Sequence, residues 1–130
     1  VVLSRLSQCV TNIGLTNMET LPLDESRQIT LDGSGNGAVT IGPSYSYQVW
    51  KPTQINVLVT SNNNEPVFKY YRGSSIGNTN YLGGTYTGSN DQSDISGQIL
   101  QPGEVFLCVW SGGDPGAIAS VNLGGTKEIP

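Results

Sequence analysis

Apolar residues in this chain recur mostly at every second position, and the continuous apolar runs are too short for a helix. Gln101 to Gly124 reads as turn, strand, turn, strand. Pro102 presets φ for the second position of a turn, and Gly103 supplies the positive φ required at the third. Val105 to Trp110 is then unbroken apolar sequence rich in β-formers. Asp114-Pro115-Gly116 repeats the turn chemistry, after which Ala119, Val121 and Leu123 alternate with Ser120 and Asn122. That is the pattern of a strand wet on one face. A C-terminal hairpin with a central first strand is expected.

Upstream, Ile29 and Leu31 alternate with Gln28, Thr30 and Asp32, and Val39 and Ile41 alternate with Ala38 and Thr40. The glycine-rich loop 32–37 between them predicts a second hairpin. Gln48 to Lys51 reads as a short strand stopped by Pro52, a residue that belongs at an edge, a bulge or a crossover. Ile55, Val57 and Val59 form the cleanest alternation, and Val67 to Arg72 carries Phe68, Tyr70 and Tyr71. Residues 73–97 are dense in Gly, Ser, Asn and Thr, with a short strand expected around Tyr81, Leu82 and Tyr86. Long irregular stretches of this kind are often functional. Seven or eight strands suffice for two packed antiparallel sheets. The expected fold is all-β: an antiparallel, jelly-roll-like β-sandwich over residues 27–130.

Residues 1–26 differ in kind. Val2, Leu6, Cys9, Val10 and Ile13 fall near helical spacing, Gly14 is placed to close such a helix, and Leu21-Pro22-Leu23 reads as a connector. This N-terminal arm either packs on its own domain or docks on a neighbouring subunit through Val1, Val2, Leu3, Leu6 and Val10. Uncovered apolar tails need some partner. Val1 is not a translation start, so trimming or processing of the chain is expected.

Composition narrows the function. The length of 130 residues suits one domain with its own core, and 17 glycines and 7 prolines with only 12% charged residues fit an all-β chain with many turns. A net charge of −4 gives no basic footprint for nucleic acid or an anionic membrane, and no apolar run is long enough to span a bilayer. Cys108 sits in the apolar strand as a small hydrophobe, and both it and Cys9 are expected to be free thiols.

The chain has no histidine, which removes Ser-His-Asp and Cys-His catalysis and the commonest transition-metal ligand. Gly33, Gly35 and Gly37 lie in a turn rather than before a helix, so no phosphate-cradling motif is present. Asp91 and Asp94 with Asn90 offer oxygen ligands suited to calcium, but with fewer acids than calcium loops concentrate. Asp32, Glu104 and Asp114 sit beside turns, where local backbone bonding explains them. No catalytic residue, metal or cofactor is expected. Tyr45, Tyr47, Trp50, Tyr70, Tyr71, Tyr81 and Tyr86 suit stacking on sugars if several share an exposed face, but adjacent Tyr70 and Tyr71 point to opposite faces of a strand.

Taken in order, several motifs carry a resemblance. They are Ile29 to Gly37, Gly42-Pro43, Val49-Trp50, Ile55 to Thr60, Gly84 to Gly88 with Asp91 and Asp94, Pro102-Gly103-Glu104, and Val109 to Ala117 through Gly125-Thr126. Together they resemble small proteins encoded among the virion genes of tailed bacteriophages, particularly those of actinobacteria, over roughly residues 27–126. The resemblance implies a virion structural protein, a head decoration or minor capsid protein on the capsid surface. Its implied partners are the major capsid protein and further copies of itself, as a trimer. A tail-associated receptor- or carbohydrate-binding module is the alternative.

Overall fold

The computed structural model describes residues 18–44, 47–85, 90–95 and 97–130. These form eight strands and, among the described residues, no helix: β1 Glu19–Thr30, β2 Gly37–Ile41, β3 Val49–Val59, β4 Val67–Arg72, β5 Tyr81–Thr85, β6 Asn90–Asp94, β7 Phe106–Ser111 and β8 Ile118–Ile129. Two four-stranded antiparallel sheets pack face to face, with orders β1-β8-β3-β6 and β2-β7-β4-β5. Wrapping the chain between two sheets in this order is the jelly-roll arrangement of the sandwich.

Both expected hairpins are corrected by this topology. β7 and β8 lie in different sheets, and so do β1 and β2. Alternation tells which face of a strand is buried but not which strand it pairs with, and the intervening turns are long enough to cross from one sheet to the other. The two crossovers instead hold each other: Gly113 N–H donates to the Gly35 carbonyl at 2.9 Å and Gly116 N–H to that of Leu31 at 3.0 Å.

β1 begins at Glu19, so residues 19–26, read from sequence as part of the arm, are strand. The 12-residue β8 supplies the reason, pairing from Ile118 to Ile129 along the whole of β1. Leu21 and Leu23 share the face of Ile29, but the polar neighbours of an edge strand hid the alternation. Pro22 is tolerable there because an edge strand leaves one side without ladder bonds. The expected helix, with Val1, Val2, Leu3, Leu6, Cys9 and Val10, lies outside the described residues.

Pro52 did not stop its strand. It lies inside β3, where the register against β8 shifts between Pro52 and Gln54. Before the shift Trp50 and Pro52 are buried; after it Ile55, Val57 and Val59 are. Even positions face the core on one side of the bulge and odd positions on the other, so the extra residue Thr53 keeps Trp50, Pro52, Ile55, Val57 and Val59 on the core face. Gly125 opposes the bulge with φ of 148°, and a Cβ there would stand 2.4 Å from the Lys51 carbonyl oxygen. Only glycine fits.

The core lies between the sheets. Phe106, Trp110, Leu100, Ala119 and Leu123 are completely buried, and Phe68 stacks on Tyr70 and packs at a tilt against Trp110, with ring centroids 6.0 and 5.1 Å away. Each large apolar side chain so buried contributes about 1.5–3 kcal/mol relative to exposure. No polar or charged residue is buried among those described. Cys108 is a free, buried thiol, and loss of hydration pushes its pKa up to about 12.

Candidate functional site

The sandwich presents two outer faces of different chemistry. On the first sheet (β1-β8-β3-β6) the outward positions are polar and bonded across strands. Asn56 Nδ2 donates to Asn122 Oδ1 at 3.2 Å, and Asn122 Nδ2 donates to Asp24 Oδ1 at 2.7 Å and Ser26 Oγ at 3.0 Å. Lys51 and Glu128 pair at 2.6 Å further along. This face is an ordinary solvated surface, with exposed Leu58 and Ile118 at one end.

The second sheet (β2-β7-β4-β5) turns apolar side chains outward. In β7, Phe106, Cys108 and Trp110 are buried in the core, which leaves Leu107 and Val109 on the other side. Leu107 pairs with Tyr71 and Val109 with Lys69 across β4, and on the other flank they pair with Thr40 and Ala38. Tyr71 meets Tyr81 edge-on at 5.6 Å. A groove of about 450 Å³ lies here, lined by Val67, Tyr71, Tyr81 and Val109 with Lys69 beside Gly84. Lys69 is the one charge among these residues. A continuous apolar run is the mark of a strand covered on both faces; no third layer of described residues lies over this side of β7, and neighbouring side chains leave Leu107 and Val109 half-buried and Tyr71 buried. The sequence carried that signal in Val105 to Trp110, but the run alone does not say which side is left without cover.

A second concavity, about 470 Å³, opens between β5 and β6 where the sheets part, with Ile55, Phe68, Tyr70 and Leu82 inside and Asp91 and Asp94 at its border. Burial pushes the Tyr70 hydroxyl pKa up. Thr85 Oγ1 donates to the Asp91 carboxylate. Asp91 pairs with Val57 and Asp94 with Gln54, positions on opposite faces of β6, so the two acids weighed for calcium do not converge. No three His, Cys, Asp or Glu side chains cluster among the described residues.

The aromatics also separate. Tyr70 points into the core and Tyr71 to the other face of β4, where it is nonetheless buried; Trp50 is buried; Tyr47 and Tyr81 are 76% and 48% exposed. Tyr45 and Tyr86 lie outside the described residues. No sugar platform of several tyrosines is assembled among those described.

The turn acids hold loops. Asp114 accepts from the backbone N–H groups of Asn62, Asn63 and Asn64 at 2.7, 2.9 and 2.8 Å, while its own N–H donates to Ser61 Oγ at 2.7 Å. The N–H groups of Asn63 and Asn62 hold its carboxyl below the usual aspartate value. Asp32 does the same for Asn36 and Ser34. Glu104 takes the N–H of Gln101 and pairs with Arg72 at 3.2 Å.

No protein-family model matches the chain, and no curated protein sequence matches it. Among solved structures it is similar to the crystal structure of the Yersinia pseudotuberculosis-derived mitogen (YPM), at 12% identity and a TM-score of 0.41, over 80% of this chain and 86% of that one.

Proposed function

We propose that this chain is a bacteriophage virion structural protein that decorates or cements the head surface and works by burying surface against its neighbours. The observation that carries the reading is the contrast between the two outer faces. A solvated, internally bonded Asn/Asp/Ser ladder lies on one side, and a face of Leu107, Val109, Val67, Tyr71 and Tyr81 with a single lysine lies on the other. Apolar sheet faces of this kind mark contact surfaces. The motif order over roughly residues 27–126 supports the setting, since it resembles phage virion proteins. The partners on this reading are the major capsid protein and further copies of the chain, arranged as a trimer.

The test is an antibody against the recombinant chain, applied to density-gradient fractions of phage particles from a lysate expressing it. Signal sedimenting with filled heads is expected. Signal confined to the soluble fraction, or to tails freed from heads, overturns the reading.

The cleft beside β5 and β6 favours a second reading, a receptor- or carbohydrate-binding module. Leu82 and Thr85 of β5 line it on one side, and Asp91 and Asp94 of β6 border it on the other. Titration calorimetry with host wall glycans at millimolar concentration separates the two: saturable heat favours the binding module, and its absence counts against it.

A further inference from the structure

We infer that the cleft between β5 and β6 is a binding site for a neutral hexose, held by hydrogen bonds from inward-facing groups rather than by ring stacking. The inference rests on the second reading above, which it deepens by naming the ligand class and the groups that hold it.

The walls of this cleft are built from residues that do not close a sandwich edge. Residues directly opposite in an antiparallel ladder share a face. Gly83 and Thr85 of β5 stand opposite Tyr70 and Phe68, and Asp91 and Ser93 of β6 stand opposite Val57 and Ile55. All four partners are core residues, so the four wall residues face inward. At the other edge of the sandwich Leu23, Ile29, Leu31, Val39 and Ile41 fill the gap between the sheets with apolar bulk. Here, among the described residues, β5 adds only Leu82 to the core and β6 adds nothing. Small and polar side chains at inward positions leave an opening of about 470 Å³, within the range of about 300–1,000 Å³ typical of small-molecule sites.

The hydroxyl of Tyr70 is a second, independent observation. Tyr70 is only 6% exposed, and no described residue hydrogen-bonds its hydroxyl. Gly83 lies beside it, where a Cβ would stand 3.6 Å from the hydroxyl oxygen. With no side chain at 83, the phenol end of this core residue borders the cleft. A buried hydroxyl ordinarily has a hydrogen-bond partner, and a ligand hydroxyl supplies one here.

Charge and donor type select the ligand. Asp91 and Asp94 are the only charged residues of the lining, so an anion is repelled. Of the two, only Asp91 faces inward, and Thr85 Oγ1 already donates to it. The chemistry on offer is therefore hydroxyl bonding rather than an ion pair with a cation. Tyr70, Thr85 and Ser93 bring hydroxyls that both donate and accept. A neutral ring carrying hydroxyls matches that set, and half-buried Leu82 meets its C–H groups.

The test compares the full chain with Tyr70→Phe, which removes one oxygen that has no partner among the described residues and should keep the wild-type melting temperature. Ser93→Leu, at an exposed position on the β6 wall, fills the opening and should abolish binding whatever Tyr70→Phe does to stability. Saturation-transfer NMR and calorimetry are run at millimolar concentration with the methyl glycosides of glucose, galactose and mannose and with N-acetylglucosamine. Glucuronic acid and glucosamine are the anionic and cationic arms. At least one neutral sugar should bind saturably, and more tightly than either charged arm. Y70F should weaken it about five- to tenfold, the worth of one hydrogen bond. No binding of any neutral sugar, tighter binding of a charged arm, or unchanged affinity in both variants overturns the inference. Heat from wall glycans that persists in both variants also overturns it, while leaving the binding-module reading standing at another place. Hexose binding lost in the variants, with no heat from wall glycans, keeps the cleft site and removes that reading.

Discussion

Asp114 shows how much a single side chain organises at one end of the molecule. Its carboxylate takes three consecutive backbone N–H groups from the β3–β4 loop, and the cost of leaving those donors without partners falls on any replacement that cannot accept them. Asp114→Asn is expected to melt below wild type at pH 7. The acid's value is depressed in the folded chain, so its stabilisation is present above the unfolded aspartate value near 4 and is lost as pH falls through the depressed one. The melting gap between D114N and wild type therefore closes towards pH 2, and a gap that persists there contradicts the assignment. Trp110 is the opposite case: its Nε1 is buried with no hydrogen-bond partner. An unpaired buried donor costs about 1–3 kcal/mol, which offsets the packing lost on shortening the ring. Trp110→Phe should cost under about 1.5 kcal/mol, and Trp110→Ala about 3–5 kcal/mol, by denaturant melts. Cys108, with its thiol pushed up to about 12, should resist alkylation at pH 8 in the folded chain and react only in denaturant, as mass spectrometry would show.

At the scale of elements, the bulge in β3 carries the longest argument from sequence to fold. Trp50 and Pro52 are even, Ile55, Val57 and Val59 are odd, and one inserted residue reconciles them. The break in parity was visible around Pro52, but a proline there is as consistent with an edge or a crossover, so the continuation of the strand was not legible. Gly125→Ala tests it: the added methyl would stand within 3 Å of three backbone atoms of Lys51, Pro52 and Thr53, and a loss of about 2–4 kcal/mol is expected by chemical denaturation. A neutral result contradicts the bulge geometry. The same limit explains the hairpins. Turn chemistry at 32–37 and 112–117 marked where strands end, whereas partner choice depends on long-range pairing that no local pattern encodes. Strand positions and the two-sheet architecture could be read because alternation records burial directly; the start of β1 could not, because an edge strand with Pro22 and Asp24-Glu25-Ser26 has little of it.

For the whole molecule, the polarity of the sandwich matters more than any one residue. Its two outer faces obey the same alternation rule, yet one ends in a bonded polar ladder and the other in Leu107, Val109, Tyr71 and Tyr81. In sequence that difference is hidden inside a single apolar run, which marks a central strand but does not distinguish its two sides. Charge placed at Val109, as Val109→Asp, should leave the melting temperature within a few degrees while lowering assembly into larger species, as light scattering would measure. The most direct measurement of the central claim is a cryo-electron map of the phage particle. The account predicts density for the eight-stranded sandwich on the head, with the β2-β7-β4-β5 face covered by protein and the Asn56–Asn122–Asp24 ladder facing solvent. A particle in which the apolar face stands open to solvent, or from which the chain is missing, would contradict it.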